Sequence, residues 1–234
     1  MERTPEPSRT APVMEEFGAA ALLALPFAAY LLVLAVIRPP SAAEWAWVDP
    51  ILRPLPRSLV IWGVPVTGGL IALGWTLAAR PTRNALRRAL LQAALGVLVA
   101  SVLVCVVRVA VGNTLPAFIP AEESAGPGLL LSMSAGYLEE LVCRLGVLAI
   151  SWHVLSSRLP RVPAVLLSAL ASGLAFAFVH RLGEAEPSNV HFVTRLLIPG
   201  FAFSVAALAA RPPFLVSAHL AAHLLLPVLF AAPG

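Results

Sequence analysis

Tyr137-Leu138-Glu139-Glu140-Leu141-Val142-Cys143-Arg144 sets two adjacent carboxylates and a guanidinium inside an apolar run that extends from about Leu129 to Ile150. A charged side chain at the centre of a membrane helix costs roughly 3 kcal/mol or more, so such groups face one another inside a bundle and mark function by default. The chain around the octet is of the membrane class. Of its 234 residues 59% are hydrophobic and 12% charged, and the mean hydropathy is +0.87, against about 25% charged residues in soluble domains. The expected fold is all-α, a polytopic membrane helix bundle of about seven transmembrane helices.

The hydrophobic runs place the spans. Residues 1–16 read as a polar N-terminal tail with four glutamates and two arginines. Spans are expected at about 17–37, 59–79, 89–111, 129–150, 162–180, 192–210 and 213–230, each long enough for a bilayer core at about 1.5 Å per residue. Residues 17–128 form an N-terminal three-helix membrane part. The turn-rich stretch 112–128, with Pro116, Pro120, Pro127 and Glu122-Glu123, separates it from a four-helix core at 129–234.

The net charge of +4 does not point to nucleic acid, because the arginines sit singly or in short groups between apolar runs, where they orient helices. All 16 basic residues are arginine, and the lack of lysine excludes Schiff-base and Ser-Lys chemistry. Asp49 is the only aspartate, which excludes a protease built on an aspartate pair. Cys105 and Cys143 lie in apolar segments without metal-binding spacing and read as buried packing residues.

Three features carry chemistry. On a helix, Glu140 and Arg144 are four residues apart and share a face, so they can pair, whereas Glu139 is rotated by about 100° and is left for groups on other helices. Phe176-Ala177-Phe178-Val179-His180 brings a histidine to the end of the fifth span. His219 and His223 stand at spacing four on one face of the seventh, a spacing that suits zinc, although the residue after His219 is a leucine and not the glutamate of a His-Glu-x-x-His helix. Each feature alone also suits a structural polar contact, but one shared site explains six ionisable groups on three helices better than several unrelated knots do. On straight helices His180 and His219 would lie at different depths, and helices broken around a cavity would be needed to join them.

Glu-Glu-x-x-x-Arg, then Phe-x-x-x-His, then His followed four residues later by a polar residue, in that order on successive spans, resembles the CPBP family of membrane proteases, also called the CAAX protease and bacteriocin-processing or ABI family. The resemblance covers about Leu129 to Leu226. It implies a glutamate-type intramembrane endopeptidase in which Glu139 and His180 hold and deprotonate water, His219 stabilises the oxyanion, and Arg144 anchors Glu140. A carboxylate away from bulk water is a good base, and a histidine donor there stabilises developing negative charge. His223 stands where the family usually has asparagine, and it can keep an oxyanion role. It also completes a set (Glu139, His180, His219 and His223) that can take zinc, although the resemblance implies no required cofactor.

The expected partners are the lipid bilayer and a membrane-embedded or membrane-anchored polypeptide substrate, with no nucleic acid. An arginine-only, alanine-rich chain reads as bacterial, so peptide or C-terminal sorting-tail processing is expected in preference to prenylated CAAX substrates. The rival class is a non-proteolytic membrane module, either a proton-coupled transporter using Glu139 and the histidines as a relay or a bacteriocin immunity-type binding protein.

Nine arginines fall in the tail and alternate loops and five on the opposite side, counting positions in the sequence, which places the N-terminus in the cytoplasm of a bacterial inner membrane and the C-terminus outside. A C-terminal alkaline phosphatase fusion is therefore expected to be active and a C-terminal green fluorescent protein fusion dark. The opposite pair of results reverses the orientation.

Overall fold

The computed structural model describes residues 11–42, 45, 51–111, 129–184, 187–210 and 212–230. Seven helices run through them: α1 (Ala11–Ile37), α2 (Leu59–Ala79), α3 (Arg83–Val111), α4 (129–156), α5 (Arg161–Gly183), α6 (189–210) and α7 (Pro212–Phe230). Five of these, α1, α2, α3, α5 and α6, are long and apolar enough to cross a membrane on length and composition. In α4 the three charges Glu139, Glu140 and Arg144 interrupt the apolar run. The all-α membrane bundle read from the sequence is the fold observed. The 112–128 connection and the first ten residues lie outside the described residues.

Several helix ends move outward from their expected positions. α1 begins at Ala11, so residues 11–16 are helical and not tail. The carboxylate of Glu15 accepts from the Thr82 N–H at 2.9 Å, and the Thr82 hydroxyl accepts from Ala85 N–H at 3.2 Å, a side-chain cap that starts α3. α3 therefore takes in Arg83, Arg87 and Arg88, which lie before the span expected at 89–111. α5 continues to Gly183, leaving His180 one turn inside the helix instead of at its end. Arg80 closes α2 in the left-handed conformation (φ 46°). Cys105 is exposed on α3, while Cys143 is buried, so only the second fits the packing role given to both.

Among the described residues, three helices carry wide π turns that the hydropathy pattern does not announce, the first at the start of α2, Leu59–Gly63. In α4 the π segment is Glu140–Leu148, and the N–H of Ala149 after it reaches back five residues to the Arg144 carbonyl. In α6 it is Leu196–Ala202, with Pro199 inside. Proline has no N–H and its ring clashes with the carbonyl four residues earlier, so a widened turn is the local way to keep the helix going.

A continuous core links Phe17, Ala21 and Leu31 of α1 and Val64 of α2 with Tyr137, Leu141 and Leu145 of α4 and Leu220 of α7. Ile51 and Leu52, before α2, are buried against Leu131 and Ala135 of α4. α3 packs mainly along α7, and α5 packs on the π segments of α4 and α6. The outer faces are apolar as well: Leu91, Leu95, Leu98 and Leu103 of α3 and Leu197 and Ile198 of α6 are exposed, as expected for surfaces that meet lipid rather than water.

The α5–α6 crossing depends on two glycines. A Cβ on Gly200 would stand 2.6 Å from the Gly173 Cα and 3.0 Å from its carbonyl oxygen, so only small residues allow the two backbones to approach this closely. Gly200→Val is expected to destabilise the bundle by roughly 1–3 kcal/mol through overpacking. Thermal unfolding in detergent micelles checks this, and a midpoint equal to wild type would show that the crossing yields.

Candidate active site

α4 brings the two carboxylates, α5 one histidine and α7 two. Glu139 Oε1 lies 3.0 Å from His180 Nε2. Its other oxygen, Oε2, lies 3.2 Å from His219 Nε2 and 3.6 Å from His223 Nε2. Glu140 Oε1 is 2.7 Å from His219 Nδ1. Glu139, Glu140, Arg144 and His180 are all buried. The six residues singled out in the sequence meet in one place, and the depth mismatch expected of straight helices does not arise.

The two glutamates are less divided than the helical geometry suggested. His219 sits between them, with one ring nitrogen on each carboxylate, so the neighbours in sequence share one imidazole. Arg144 is also not simply the partner of Glu140. Its Nε stands 3.9 Å from Glu140 Oε1, while its Nη2 donates to the Pro199 carbonyl at 2.6 Å, a bond that ties α4 to the π turn of α6.

Other contacts hold each ring in place. The Phe176 ring stacks on His180 with centroids 4.3 Å apart and planes at 28°. The Phe176 carbonyl accepts from His180 Nδ1 at 2.8 Å, and the Arg144 guanidinium lies 5.5 Å from the centroid on the ring's face. On α7, His223 fits because Gly136 has no side chain: a Cβ there would meet the imidazole at 2.6 Å. The Ser132 hydroxyl donates to the His223 carbonyl at 2.7 Å, fastening α7 to α4. Deeper in the bundle, Ser172 donates to the Cys143 carbonyl at 2.8 Å. The Ser204 hydroxyl is within bonding distance of Ser172 and of the Gly200 carbonyl, so Ser172 links α5 to both α4 and α6.

These supports were mostly missed in the sequence. Pro199-Gly200 within an apolar span is a breaker signal that was there to be read, and Gly136 falls one turn before Glu139. The supporting roles of Ser132 and Ser204 left no mark in pattern or spacing. Outside the cluster, Glu184 forms an ion pair with Arg195 and approaches His191 at 3.8 Å. That group closes the α5–α6 turn, where the Ser188 hydroxyl caps α6.

The ring nitrogens have defined roles. A backbone carbonyl only accepts, so His180 Nδ1 carries the hydrogen, and its Nε2 presents a lone pair to Glu139 when the ring is neutral and donates to it when the ring is protonated. His219 is arranged alike, with Nδ1 donating to Glu140 and Nε2 turned to Glu139. Lone pairs aimed at carboxylate oxygens repel unless positive charge lies between them. Arg144 offsets only one of the two buried carboxylates, and the balance calls for protons or a cation at Glu139. The nearest donor atoms of Glu139, His219 and His223 lie within 4.8 Å of one another, a grouping that can hold a metal ion.

Comparison with known proteins adds one family. Residues 84–189 match the model of the PrsW family intramembrane metalloproteases. The matched stretch contains Glu139, Glu140, Arg144 and His180 and stops before His219 and His223. It is a different family from the CPBP proteases that the motifs resemble, though also one of intramembrane proteases. No curated protein and no solved structure matches the chain. The match supports intramembrane proteolysis by a multi-pass membrane protein and, together with the Glu-His-His group, makes a bound metal a live reading. The expectation of no required cofactor finds no support.

Proposed function

We propose that this chain is an intramembrane endopeptidase whose reacting centre is Glu139 with His180, His219 and His223. The observation that carries the reading is the convergence of three imidazole Nε2 atoms, from α5 and α7, on one buried carboxylate of α4. Such a focus of base, donor and lone pairs in hydrocarbon is costly, and peptide hydrolysis uses all of it.

The donor set fits a zinc-class ion. Nitrogen and oxygen donors suit zinc, and a ligating histidine commonly gives its second N–H to a carboxylate or carbonyl, which is what His219 does with Glu140 and His180 with Phe176. Glu139, His219 and His223 would hold the ion. When bound, it polarises the scissile carbonyl and water as a Lewis acid.

The chain's own residues divide the remaining work. Glu139 Oε1, the oxygen facing His180, orients a water and takes its proton as the water oxygen adds to the peptide carbonyl carbon, with Oε2 left to the ion. His180, held at Glu139 Oε1 by Phe176, receives that proton and returns it to the amine nitrogen as the C–N bond breaks. His219, fixed by Glu140 and carrying a hydrogen on Nε2 when no ion is bound, lies where charge builds on the carbonyl oxygen. The substrate is a membrane-embedded or membrane-anchored polypeptide cut near a terminus, in peptide or C-terminal sorting-tail processing.

Glu139→Gln, His180→Ala and His219→Ala are each expected to lower turnover by at least about 100-fold while the protein remains inserted and folded. The substrate comes from comparing the termini of membrane and secreted proteins in cells with and without the gene. Full turnover by Glu139→Gln would overturn the reading.

For the metal, the protein purified without chelator is expected to hold about one zinc per chain. His223→Asn should weaken zinc binding, and Glu140→Gln should weaken it about 10- to 100-fold through loss of the His219 support. Absence of zinc at full activity would assign the positive charge at Glu139 to protons alone.

A further inference from the structure

We infer that the site opens sideways into the hydrocarbon layer at Phe203, and that the Phe203 ring is a specificity-determining contact for the lipid-embedded part of the substrate. The inference rests on the endopeptidase reading above. Its first ground is the gradient of exposure across the site. The Glu139 side chain is 3% exposed and that of His180 5%, whereas His219 and His223 on α7 reach 13% and 12%. Among the described residues, the centre is thus closed toward α5 and least covered toward α7.

Phe203 stands at that less covered edge. Its ring meets the His219 ring edge-on, with centroids 6.4 Å apart and planes at 89°, and it is itself 37% exposed. It is the aromatic group of α6 that touches a site histidine and also reaches the outer surface. A side chain arriving at Glu139 from that direction packs against Phe203 before it meets His219.

The surroundings identify the medium on that side. Residues 196–210 carry no ionisable side chain, and Leu197, Ile198 and Phe203 are all exposed on α6. Phe203 lies eight residues after Arg195 in the sequence, near the middle of the uncharged part of a span. An aqueous entrance at that level would set this apolar surface against water. An apolar stretch of a single-span polypeptide, sliding in from lipid, meets like with like, and the ring then selects among side chains by size and shape. A change of one methylene in such a contact is worth about 10- to 200-fold in specificity.

Two measurements test this separately. In a Cys105→Ser background, a nitroxide is attached at Phe203→Cys, with Asn189→Cys at the start of α6 as the aqueous reference. The protein is placed in phosphatidylethanolamine–phosphatidylglycerol vesicles. The label at 203 is expected to collide several-fold more with oxygen than with a water-soluble nickel chelate, and the label at 189 the reverse. Preference for the nickel chelate at 203 would overturn the lateral opening, whatever the enzyme's activity.

For specificity, wild type, Phe203→Ala and Phe203→Trp are given single-span reporter peptides that carry alanine, leucine or phenylalanine at successive mid-span positions. Phe203→Ala is expected to change the ratio of cleavage rates between the phenylalanine and alanine reporters by about tenfold, with Phe203→Trp close to wild type. Equal slowing of every reporter would overturn the specificity role. Failure of wild type to cut any reporter would count against the endopeptidase reading itself, and the nitroxide result would still decide the opening.

Discussion

Two neighbouring carboxylates cannot remain ionised in a hydrocarbon layer without donors brought from elsewhere in the chain, and the architecture answers that demand. Helices distant in sequence are drawn to α4 because Glu139 and Glu140 each need positive or hydrogen-bearing groups. His180 comes from α5, His219 and His223 from α7, and Arg144 carries the connection on to α6 through the Pro199 carbonyl. Among the described residues α6 sends no charged side chain into the centre, and it is tied to it by that backbone oxygen and by the Phe203 ring against His219. The bundle is therefore organised from a polar centre outward, with the apolar core of α1, α2 and α4 as its support.

Close packing makes this arrangement definite. Gly136 gives way to the His223 ring, and Gly173 and Gly200 let α5 and α6 cross at backbone distance. Phe176 orients His180 twice, by its ring and by its carbonyl. These residues touch no substrate in the proposed mechanism, but each fixes the place of a nitrogen or a helix. A site shared by three helices needs such fixing, because a shift of about 1 Å in one of them is enough to weaken catalysis strongly.

Much of this was legible in the sequence. Hydropathy gave the seven helices, and the rarity of ionisable groups inside the spans picked out Glu139, Glu140, Arg144, His180, His219 and His223 without any structure. What was not legible depends on departures from ideal helices. The reading assumed 100° per residue, so it parted Glu139 from Glu140 and gave Arg144 wholly to Glu140. It also assumed straight axes, so it set His180 and His219 at different depths. The π turns at 140–148 and 196–202 lie beside those very residues. Pro199 could have signalled one of them, but no single residue in 140–148 announces the other. The helix starts were misjudged for a simpler reason: Glu15 and Thr82 are polar, and their mutual hydrogen bond cannot be seen from composition.

The π turn of α4 bears on how such a chain can change over generations. A widened turn holds one residue more than the regular helix it replaces, and it begins at Glu140, immediately after the proposed base. Losing one residue between 140 and 144 would restore the ordinary pitch and leave Trp152 close to its place in the core, but it would move Arg144 one position nearer Glu139, about 100° around the axis and away from Pro199. Substitutions can be absorbed one at a time along this helix, but its length is locked to the chemistry, and insertions or deletions are confined to the loops outside it.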